Sequence, residues 1–291
     1  TGRYPDRVSE RDRWAPLSMT LAGIPLRGVS IAGRETWFHV PSLDLAFDVG
    51  RGPADVVPAP SLFLSHAHLD HAGGLAYWAS QRRLLRLPLA RVFTDPGVVA
   101  PWREILALHE RLEGVGYHVS VEGLAPGASV DLRKDLAVAA FRAEHRVPAL
   151  GFVASEVRRR LVPEWQGRPE EEIREAIGRG EELTRRTPRP LVAFSGDTGV
   201  EFFATAPREA FEAKVFLLEC SFVEPEDVPR ARNYGHLHLD DVAERADLFA
   251  NEVLVLTHLT LRGTPEELRR TIARRLPAPL ASRTVPFLLQ G

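Results

Sequence analysis

Residues 61 to 71 read Ser-Leu-Phe-Leu-Ser-His-Ala-His-Leu-Asp-His, and this stretch indicates which fold and site to look for. The apolar run at its start is typical of an interior strand. Four polar side chains follow where that strand must end: His66, His68, Asp70 and His71. Loops that follow strands are where a rigid sheet presents its chemistry. The stretch therefore predicts a metal site whose other ligands lie elsewhere in the chain.

The same arrangement, an apolar run ending in a metal-binding or acid-base residue, recurs further along the chain. It supplies four more candidates: His145, Asp197, Glu219 and His258. His and Asp are costly to bury without partners or a metal. Five such strand ends in one chain therefore favour a shared site over ordinary packing.

Spacing within the first motif indicates two ions. His66 and His68 are two residues apart in extended chain, so both point to one side and can hold one ion. Asp70 and His71 begin the next helix and turn towards a second ion.

The later residues complete both sets of ligands. His145 is expected on the first ion and His258 on the second, with Asp197 bridging the two. Each ion then keeps an open position, which is typical of a catalytic site. Two ions about 3.5–4 Å apart can generate a nucleophile from water and stabilise a phosphoryl or acyl transition state.

Composition restricts the class of protein. The chain has 291 residues, a formal net charge of −2 and one cysteine, Cys220. One cysteine excludes an internal disulfide and a cysteine-based zinc cluster, and this usage fits a cytoplasmic protein. No apolar stretch is long enough to span a membrane, and residues 1–18 are charged rather than signal-like. The near-neutral charge gives no global attraction to nucleic acid.

The order of the elements predicts an α/β fold. Short strand-like runs broken by Gly and Pro indicate antiparallel meanders, and later strands alternate with helices, including helices predicted at 72–85 and 239–250. Two sheets packed face to face with helices outside satisfy this pattern. We expect a flexible N-terminal lead at 1–18 and a single domain at 19–291.

Residues 156–189 differ from the rest of the chain. They hold nine Arg and eight Glu, with a helical centre at 170–177, and are interpreted as an inserted arm. The arm could contact a substrate, and the alternative is a lid or dimer contact that does not. Trp165 in this arm could stack on a base or on a partner subunit.

The motif set resembles the metallo-β-lactamase superfamily, with its His-x-His-x-Asp-His signature and a downstream His, Asp and His. Further blocks resemble tRNase Z (ribonuclease Z), the endonuclease that removes the 3′ trailer of precursor tRNA, and in particular its short plant forms. These blocks are Phe194-Ser-Gly-Asp-Thr198, Leu218-Glu-Cys-Ser-Phe222, Gly235-His236 and Leu256-Thr-His258. The resemblance implies an αββα sandwich of two mixed β-sheets with helices on both outer faces.

The resemblance also implies a role for each site residue. His66, His68 and His145 would hold one zinc ion, Asp70, His71 and His258 the other, and Asp197 would bridge them. His and Asp ligands also accept manganese or iron. Asp70 would also orient the nucleophile.

His236 is implied to protonate the departing 3′ oxygen, with Glu219 orienting it. Two alternatives stay open. His238 could take the acid role or only cap the next helix, and Glu219 could be a buried carboxylate paired with an arginine.

The expected activity is therefore two-metal endonucleolytic removal of the 3′ trailer of precursor tRNA, leaving a 3′ hydroxyl. The first alternative is a phosphodiesterase acting on another RNA or a small diester. Thioesterases and lactonases of the superfamily form a second alternative, which His236 and Glu219 disfavour. We expect no membrane partner, and the resemblance implies a homodimer.

Overall fold

Two seven-stranded sheets form the centre of the protein. The computed structural model describes residues 15–260 and 262–288. In the first sheet the strands lie side by side in chain order. They are β1 (Leu17–Leu21), β2 (Ile24–Ile31), β3 (Glu35–Val40), β4 (Leu45–Phe47), β5 (Ser61–Phe63), β6 (Ala90–Thr94) and β7 (Val119–Gly123). Strands β1 to β4 pair antiparallel and β4 to β7 pair parallel.

The second sheet has the same plan. Its strands are β8 (Ser129–Arg133), β9 (Leu136–Ala143), β10 (Ala149–Leu161), β11 (Thr184–Phe194), β12 (Val215–Glu219), β13 (Val253–Thr257) and β14 (Thr284–Pro286). Strands β8 to β11 are antiparallel and β11 to β14 are parallel. Each half is thus a meander followed by parallel strands, and the parallel strands direct their carboxyl ends to one edge.

Phenylalanine side chains fill the space between the sheets. Phe47 of the first sheet lies 5.3 Å from Phe194 of the second, between ring centroids, and Phe63 lies 5.2 Å from Phe152. These rings are buried. Removing one to Ala would cost about 3–5 kcal/mol because a cavity would remain.

Helices cover both outer faces. Those on the first sheet are α1 (Leu69–Ala72), α2 (Leu75–Leu84) and α3 (Val99–Glu113), which bury Trp78 and Leu106. Later helices are α4 (Glu170–Gly178), α5 (Phe202–Thr205), α6 (Arg208–Glu212), α7 (Val228–Tyr234), α8 (Leu239–Glu244), α9 (Pro265–Arg275) and α10 (Ala278–Ala281). Those after β11 pack on the outer face of the second sheet, burying Phe202 and Ile272. The prediction of an αββα sandwich is confirmed.

Two predicted helices have different bounds in the structure. The helix predicted at 72–85 begins at Leu69 and is divided at Gly73 and Gly74. The helix predicted at 239–250 ends at Glu244, since Arg245 leaves helical geometry and Phe249 is extended. Phe249 packs there on Phe211, with 5.4 Å between ring centroids, so tertiary packing overrides the helical pattern.

Residues 156–189 form a ribbon with a helix at its end. Strands β10 and β11 stay paired beyond the sheet as far as Leu161 and Thr184, and α4 lies between them in the chain. The strands predicted at 150–155 and 191–195 are therefore too short. Charged residues on both faces hid this extension, because a ribbon outside the sheet has no buried face and no alternation.

The predicted lead lies mostly outside the described residues. Residues 1–14 are not described, and Leu17 and Ser18 already belong to β1. Among the described helices, none is long and apolar enough to cross a membrane.

Candidate active site

The candidate residues converge at the edge of the sandwich where the parallel strands end. His66 and His68 follow β5, and Asp70 and His71 lie in α1. The second sheet contributes from the opposite side, with His145 after β9, Asp197 after β11, Glu219 at the end of β12 and His258 after β13. The topology therefore brings residues nearly 200 positions apart to one place.

Three histidines form the first group of possible ligands. Nε2 of His66 lies 3.0 Å from Nδ1 of His68, and Nε2 of His145 lies 3.4 Å from the same Nδ1. His68 thus presents Nδ1, whereas the other two present Nε2. Asp197 Oδ2 lies 3.8 Å from Nε2 of His66 and joins this group.

The second group shares Asp197 with the first. Nε2 of His71 lies 3.3 Å from Asp197 Oδ1, and Nε2 of His258 lies 3.4 Å from Asp197 Oδ2. Asp70 Oδ2 lies 3.7 Å from His71 and 3.5 Å from His258. The buried Asp197 carboxylate is therefore placed between two sets of ligand atoms.

These separations suit metal ions. Ligands about 2.1 Å from a tetrahedral zinc lie about 3.4 Å from one another, close to the separations within both groups. Nε2 of His71 and of His258 are buried and make no well-aligned hydrogen bond within the described residues. Aspartate and imidazole donors of this kind suit divalent ions. The cluster is able to bind metal.

Asp48 and Ser65 orient two of the histidines from behind. Nδ1 of His71 donates to Asp48 Oδ2 over 2.7 Å, which leaves Nε2 facing the site. The Ser65 hydroxyl donates to the same oxygen over 2.8 Å and lies 3.0 Å from Nδ1 of His66. Since that hydroxyl proton is used by Asp48, Nδ1 of His66 must donate to Ser65, and Nε2 is left for an ion.

The second sheet orients two further histidines. Nδ1 of His258 lies 2.8 Å from the Ser221 hydroxyl, which donates to Glu219 Oε1 over 2.5 Å. Nδ1 of His145 lies 3.0 Å from the backbone carbonyl of Gly235 and donates to it. Such outer partners fix the tautomer and orientation of ligand histidines.

Protonation follows from burial and neighbouring charge. Burial lowers the pKa of His66, His68 and His145, which favours the neutral imidazole that binds metals. Burial by itself also lowers the pKa of His71, but the carboxylates of Asp197 and Asp48 outweigh it and raise that pKa well above its ordinary value.

His236 lies beside both groups, within ion-pair distance of Glu219. Its ring centroid is 5.2 Å from that of His145 and 5.3 Å from that of His258. Nδ1 lies 3.2 Å from Glu219 Oε1. Burial alone would lower the pKa of His236, but the Glu219 carboxylate overcomes this and raises it to about 9. A histidine that is protonated near neutral pH can donate a proton.

Glu219 is buried without an arginine partner among the described residues. Its oxygens accept from the Ser221 backbone over 2.8 Å and from the Leu237 backbone over 2.7 Å, besides the contacts to Ser221 and His236. The alternative of an arginine pair is wrong.

His238 lies away from the ligand groups and caps a helix. It is the N-cap of α8: its Nδ1 accepts from the Asp240 backbone over 3.1 Å, and Nε2 donates to the Glu224 carbonyl over 2.9 Å. Both ring nitrogens are used, and the ring is buried. Of the two roles considered for His238, proton donor and helix cap, the structure shows the helix cap.

Asp48, Ser65 and Ser221 were missed as functional candidates. Asp48 follows an apolar strand, β4, and so fits the same pattern that identified the other candidates. The two serines carry no comparable sequence pattern. Their position depends on which strands are neighbours, which only the structure reveals.

The fold and the cluster define a member of the β-lactamase superfamily. Residues 41–259 match the family profile described as "Beta-lactamase superfamily domain". The metallo-β-lactamase fold protein YhfI of Bacillus subtilis superposes with a TM-score of 0.59 at 14% identity, covering 94% of this chain and 96% of its own. The short form of human tRNase Z superposes with a TM-score of 0.54 at 18% identity, covering 84% and 88%.

Relatives of higher identity narrow this class. tRNase Z TRZ1 of Arabidopsis thaliana is 33% identical over 276 residues, which covers 94% of this chain and 98% of the relative. The chloroplastic tRNase Z TRZ2 of the same plant is 31% identical over 92% of this chain and 76% of its own length. The chain belongs to the tRNase Z (ribonuclease Z) family, as its resemblance to the short plant forms predicted.

Proposed function

We propose that this chain is a metal-dependent endoribonuclease that removes the 3′ trailer of precursor tRNA. The observation that carries the proposal is the site itself, in which two groups of possible ligands share Asp197 and lie beside the pair of His236 and Glu219. The plant relatives are named tRNase Z, in agreement with this site.

Two zinc ions are the proposed cofactors, with manganese or iron as alternatives. His66, His68 and His145 would hold one ion, and Asp70, His71 and His258 the other, with Asp197 shared. When bound, such ions supply an activated water and stabilise charge on the phosphoryl group.

The chain's own residues then supply orientation and proton transfer. Asp70, at the mouth of the second group, would orient the attacking water. Nε2 of His236 would donate a proton to the 3′ oxygen as the bond between that oxygen and phosphorus breaks. Glu219 would hold the Nδ1 proton of His236 and stabilise its charged form. The products are a 3′ hydroxyl on the tRNA and a 5′ phosphate on the trailer.

The arm supports an RNA substrate because its charges are segregated. The paired positions Glu156 and Arg189, Arg158 and Thr187, and Arg160 and Arg185 alternate along the ribbon and share one face. This face carries four arginines and one glutamate, and we call it the basic stalk. Phosphate contacts dominate affinity for nucleic acid, so the stalk suits an RNA backbone.

The end of the arm differs in charge from the basic stalk. Its arginines, Arg168, Arg174 and Arg179, each pair with a glutamate of the same segment. The numbers of Arg and Glu in residues 156–189 are therefore nearly equal, although the stalk is basic and the charges at the tip are paired.

The direction of the arm supports a homodimer. The site lies at the Phe194 end of β11, whereas the arm continues from its Thr184 end. Ten residue steps at about 3.3 Å place roughly 33 Å of strand between these ends. An arm that points away from its own site would serve the site of a second copy. Exposed Leu84 on α2 and Leu112 on α3 offer apolar surface for such a contact.

The cytoplasmic location stays a prediction. It is supported by the presence of one cysteine in 291 residues.

A rate comparison tests the function. The zinc-loaded protein is incubated with an end-labelled precursor tRNA and, separately, with a chromogenic phosphodiester. We expect kcat/KM for the precursor to be higher by several orders of magnitude, since the stalk can contact only the larger substrate. Turnover of the small diester alone would contradict the proposal and would favour a phosphodiesterase with another natural substrate.

A further inference from the structure

A groove of about 430 Å³ opens next to the candidate metal site. Its lining comprises Gly33, Arg34, Arg51, Leu69, Asp70 and Gly73. Asp70 therefore belongs both to this groove and to the second ligand group. The volume is within the range of about 300–1,000 Å³ that is usual for small-molecule sites.

The lining combines positive charge with apolar surface. Arg34 and Arg51 are exposed, and Leu69 at the same place is 76% exposed. An exposed leucine beside two arginines suits a ligand with both a flat apolar part and an anionic part. A nucleotide has this chemistry.

Arg51 is held in place by a buried carboxylate. Its Nε and Nη2 donate to Glu35 Oε2 over 3.1 and 2.9 Å, and its backbone donates to Glu35 Oε1 over 3.3 Å. The Arg51 side chain nevertheless stays 59% exposed. An arginine restrained in this way loses less entropy when it contacts a phosphate.

The loop that carries Arg51 is bonded to the loop of the candidate ligands. The backbone N–H groups of Val49 and Gly50 donate to the His71 carbonyl over 2.9 Å, and that of Gly74 donates to the Gly50 carbonyl over 2.7 Å. The position of Arg51 relative to Asp70 is therefore fixed by the backbone.

The groove and His236 lie on opposite rims of the site. The groove is built from the β2–β3 turn and the loops after β4 and β5, which all belong to the first sheet. His236 comes from the second sheet, after α7. If His236 protonates the 3′ oxygen, the tRNA nucleoside occupies the rim of the second sheet. The RNA trailer, which continues beyond the scissile phosphate, then leaves along the edge of the first sheet.

We propose that this groove binds the first trailer nucleotides, and that Arg34 and Arg51 contact the phosphate after the first trailer nucleoside. This inference rests on the proposed function, because it takes the substrate to be a polynucleotide whose leaving oxygen lies at His236. It adds a product-side subsite that reads the trailer through phosphate charge and an apolar surface at Leu69, without base-specific contacts.

Binding of short products tests the groove separately from catalysis. Isothermal titration calorimetry of the zinc-loaded full chain is carried out with uridine 5′-monophosphate and with the dinucleotide pUpU. One more arginine–phosphate contact should make pUpU bind about tenfold more tightly than the mononucleotide. In Arg34→Ala this ratio should fall towards two or three, and the salt dependence of pUpU binding should weaken by about 0.7 in slope.

The matched control is Arg269→Ala, which removes the same charge from an exposed position on α9, on the outer face of the other sheet. It should keep the tenfold ratio. Equal affinities for the two ligands in the wild type, or a tenfold ratio that persists in Arg34→Ala, would overturn the proposal.

Cleavage of a precursor tRNA is measured with the same preparations. A pUpU preference that depends on Arg34, without any cleavage of the precursor, would support the groove and contradict the proposed function. Cleavage with no pUpU preference would support the function and overturn the groove.

Discussion

Hydrogen bonds from behind decide which ring nitrogen faces the site in four of the candidate ligands, His66, His71, His145 and His258. Asp48, Ser65 and Ser221 engage Nδ1 of His71, His66 and His258 respectively. Each then has Nε2 left for an ion, so the arrangement is fixed before any metal arrives. Such preorganisation increases affinity because less freedom is lost on binding.

Ser221→Ala should weaken metal binding without unfolding the protein. The change removes the acceptor for Nδ1 of His258, and losing an outer partner of this kind typically costs 10- to 100-fold in metal affinity. Zinc affinity measured by competition with a chromogenic chelator checks this. Ser80→Ala is the control, because Ser80 lies on α2 and its hydroxyl donates to exposed Glu113 on α3. Unchanged zinc affinity in Ser221→Ala would contradict the role of Ser221 in orienting His258.

His236→Ala and His238→Ala should have different effects. Losing a positioned proton donor should lower kcat by about 10²–10⁴-fold with both metals retained, whereas losing the helix cap should lower stability by about 1 kcal/mol and leave kcat close to wild type. Turnover, metal content and urea unfolding of both variants check this. Equal loss of turnover in His238→Ala, at equal stability, would contradict the role of His236.

For single residues, the sequence identified the side chains that face the site better than the side chains that hydrogen-bond to them from behind. His66, His145, Asp197, Glu219 and His258 follow or end apolar runs, whereas His236 follows α7 and was indicated only by the family resemblance; the structure brings all six together. Ser221 reaches His258 only through neighbouring strands of the folded chain. Ser65 directly precedes His66, but its hydroxyl is oriented by Asp48, which the fold brings beside it.

Among the elements, the close contact between two loops determines the shape of the site. A Cβ on Gly74 would lie 2.0 Å from the backbone nitrogen of Gly52. The bonds that attach the Arg51 loop to the ligand loop cross this contact, so any shift here would move both.

Gly74→Ala should therefore destabilise the fold by about 2–3 kcal/mol, since a backbone atom must move to admit the methyl group. It should also weaken zinc binding. Urea unfolding and zinc competition measure the two effects. Gly23→Ala is the control for loss of a glycine: it lies in a turn where a Cβ meets nothing within 4 Å, although its φ of +79° adds some strain. Wild-type stability in Gly74→Ala would show that the backbone can move to admit the methyl group, and would contradict a fixed contact between Gly74 and Gly52.

The elements also show the limits of periodicity. Buried strands such as β12 and β13 were predicted within a residue or two, because an apolar run between turns is typical of an interior strand. The outer parts of β10 and β11 were missed, since exposed positions such as Arg160 and Arg185 pair across the ribbon without a buried face.

For the whole molecule, the basic stalk should determine affinity for large RNA. Arg160, Arg185 and Arg189 make no ion pair with another described residue, so they are available to phosphates. Changing all three to Ala should raise KM for precursor tRNA at least tenfold and weaken its salt dependence by up to about 0.9 in slope per lost contact.

The control changes Arg168, Arg174 and Arg179 at the tip, which removes the same charge from residues already paired with glutamates. KM across a salt series, with turnover of a small diester alongside to report on the metal site, separates the two triple variants. An equal rise in KM for both would mean that only net charge matters, and would contradict the stalk's role.

The proposed reaction breaks one bond in one RNA. The most direct measurement is nucleotide-resolution mapping of both ends produced when the zinc-loaded chain cleaves a precursor tRNA. We expect a single cut after the discriminator base, a 3′ hydroxyl on the tRNA and a 5′ phosphate on the trailer, and no cleavage once the metal is chelated. Cuts scattered along the RNA, or a 3′ phosphate at the cut, would contradict it.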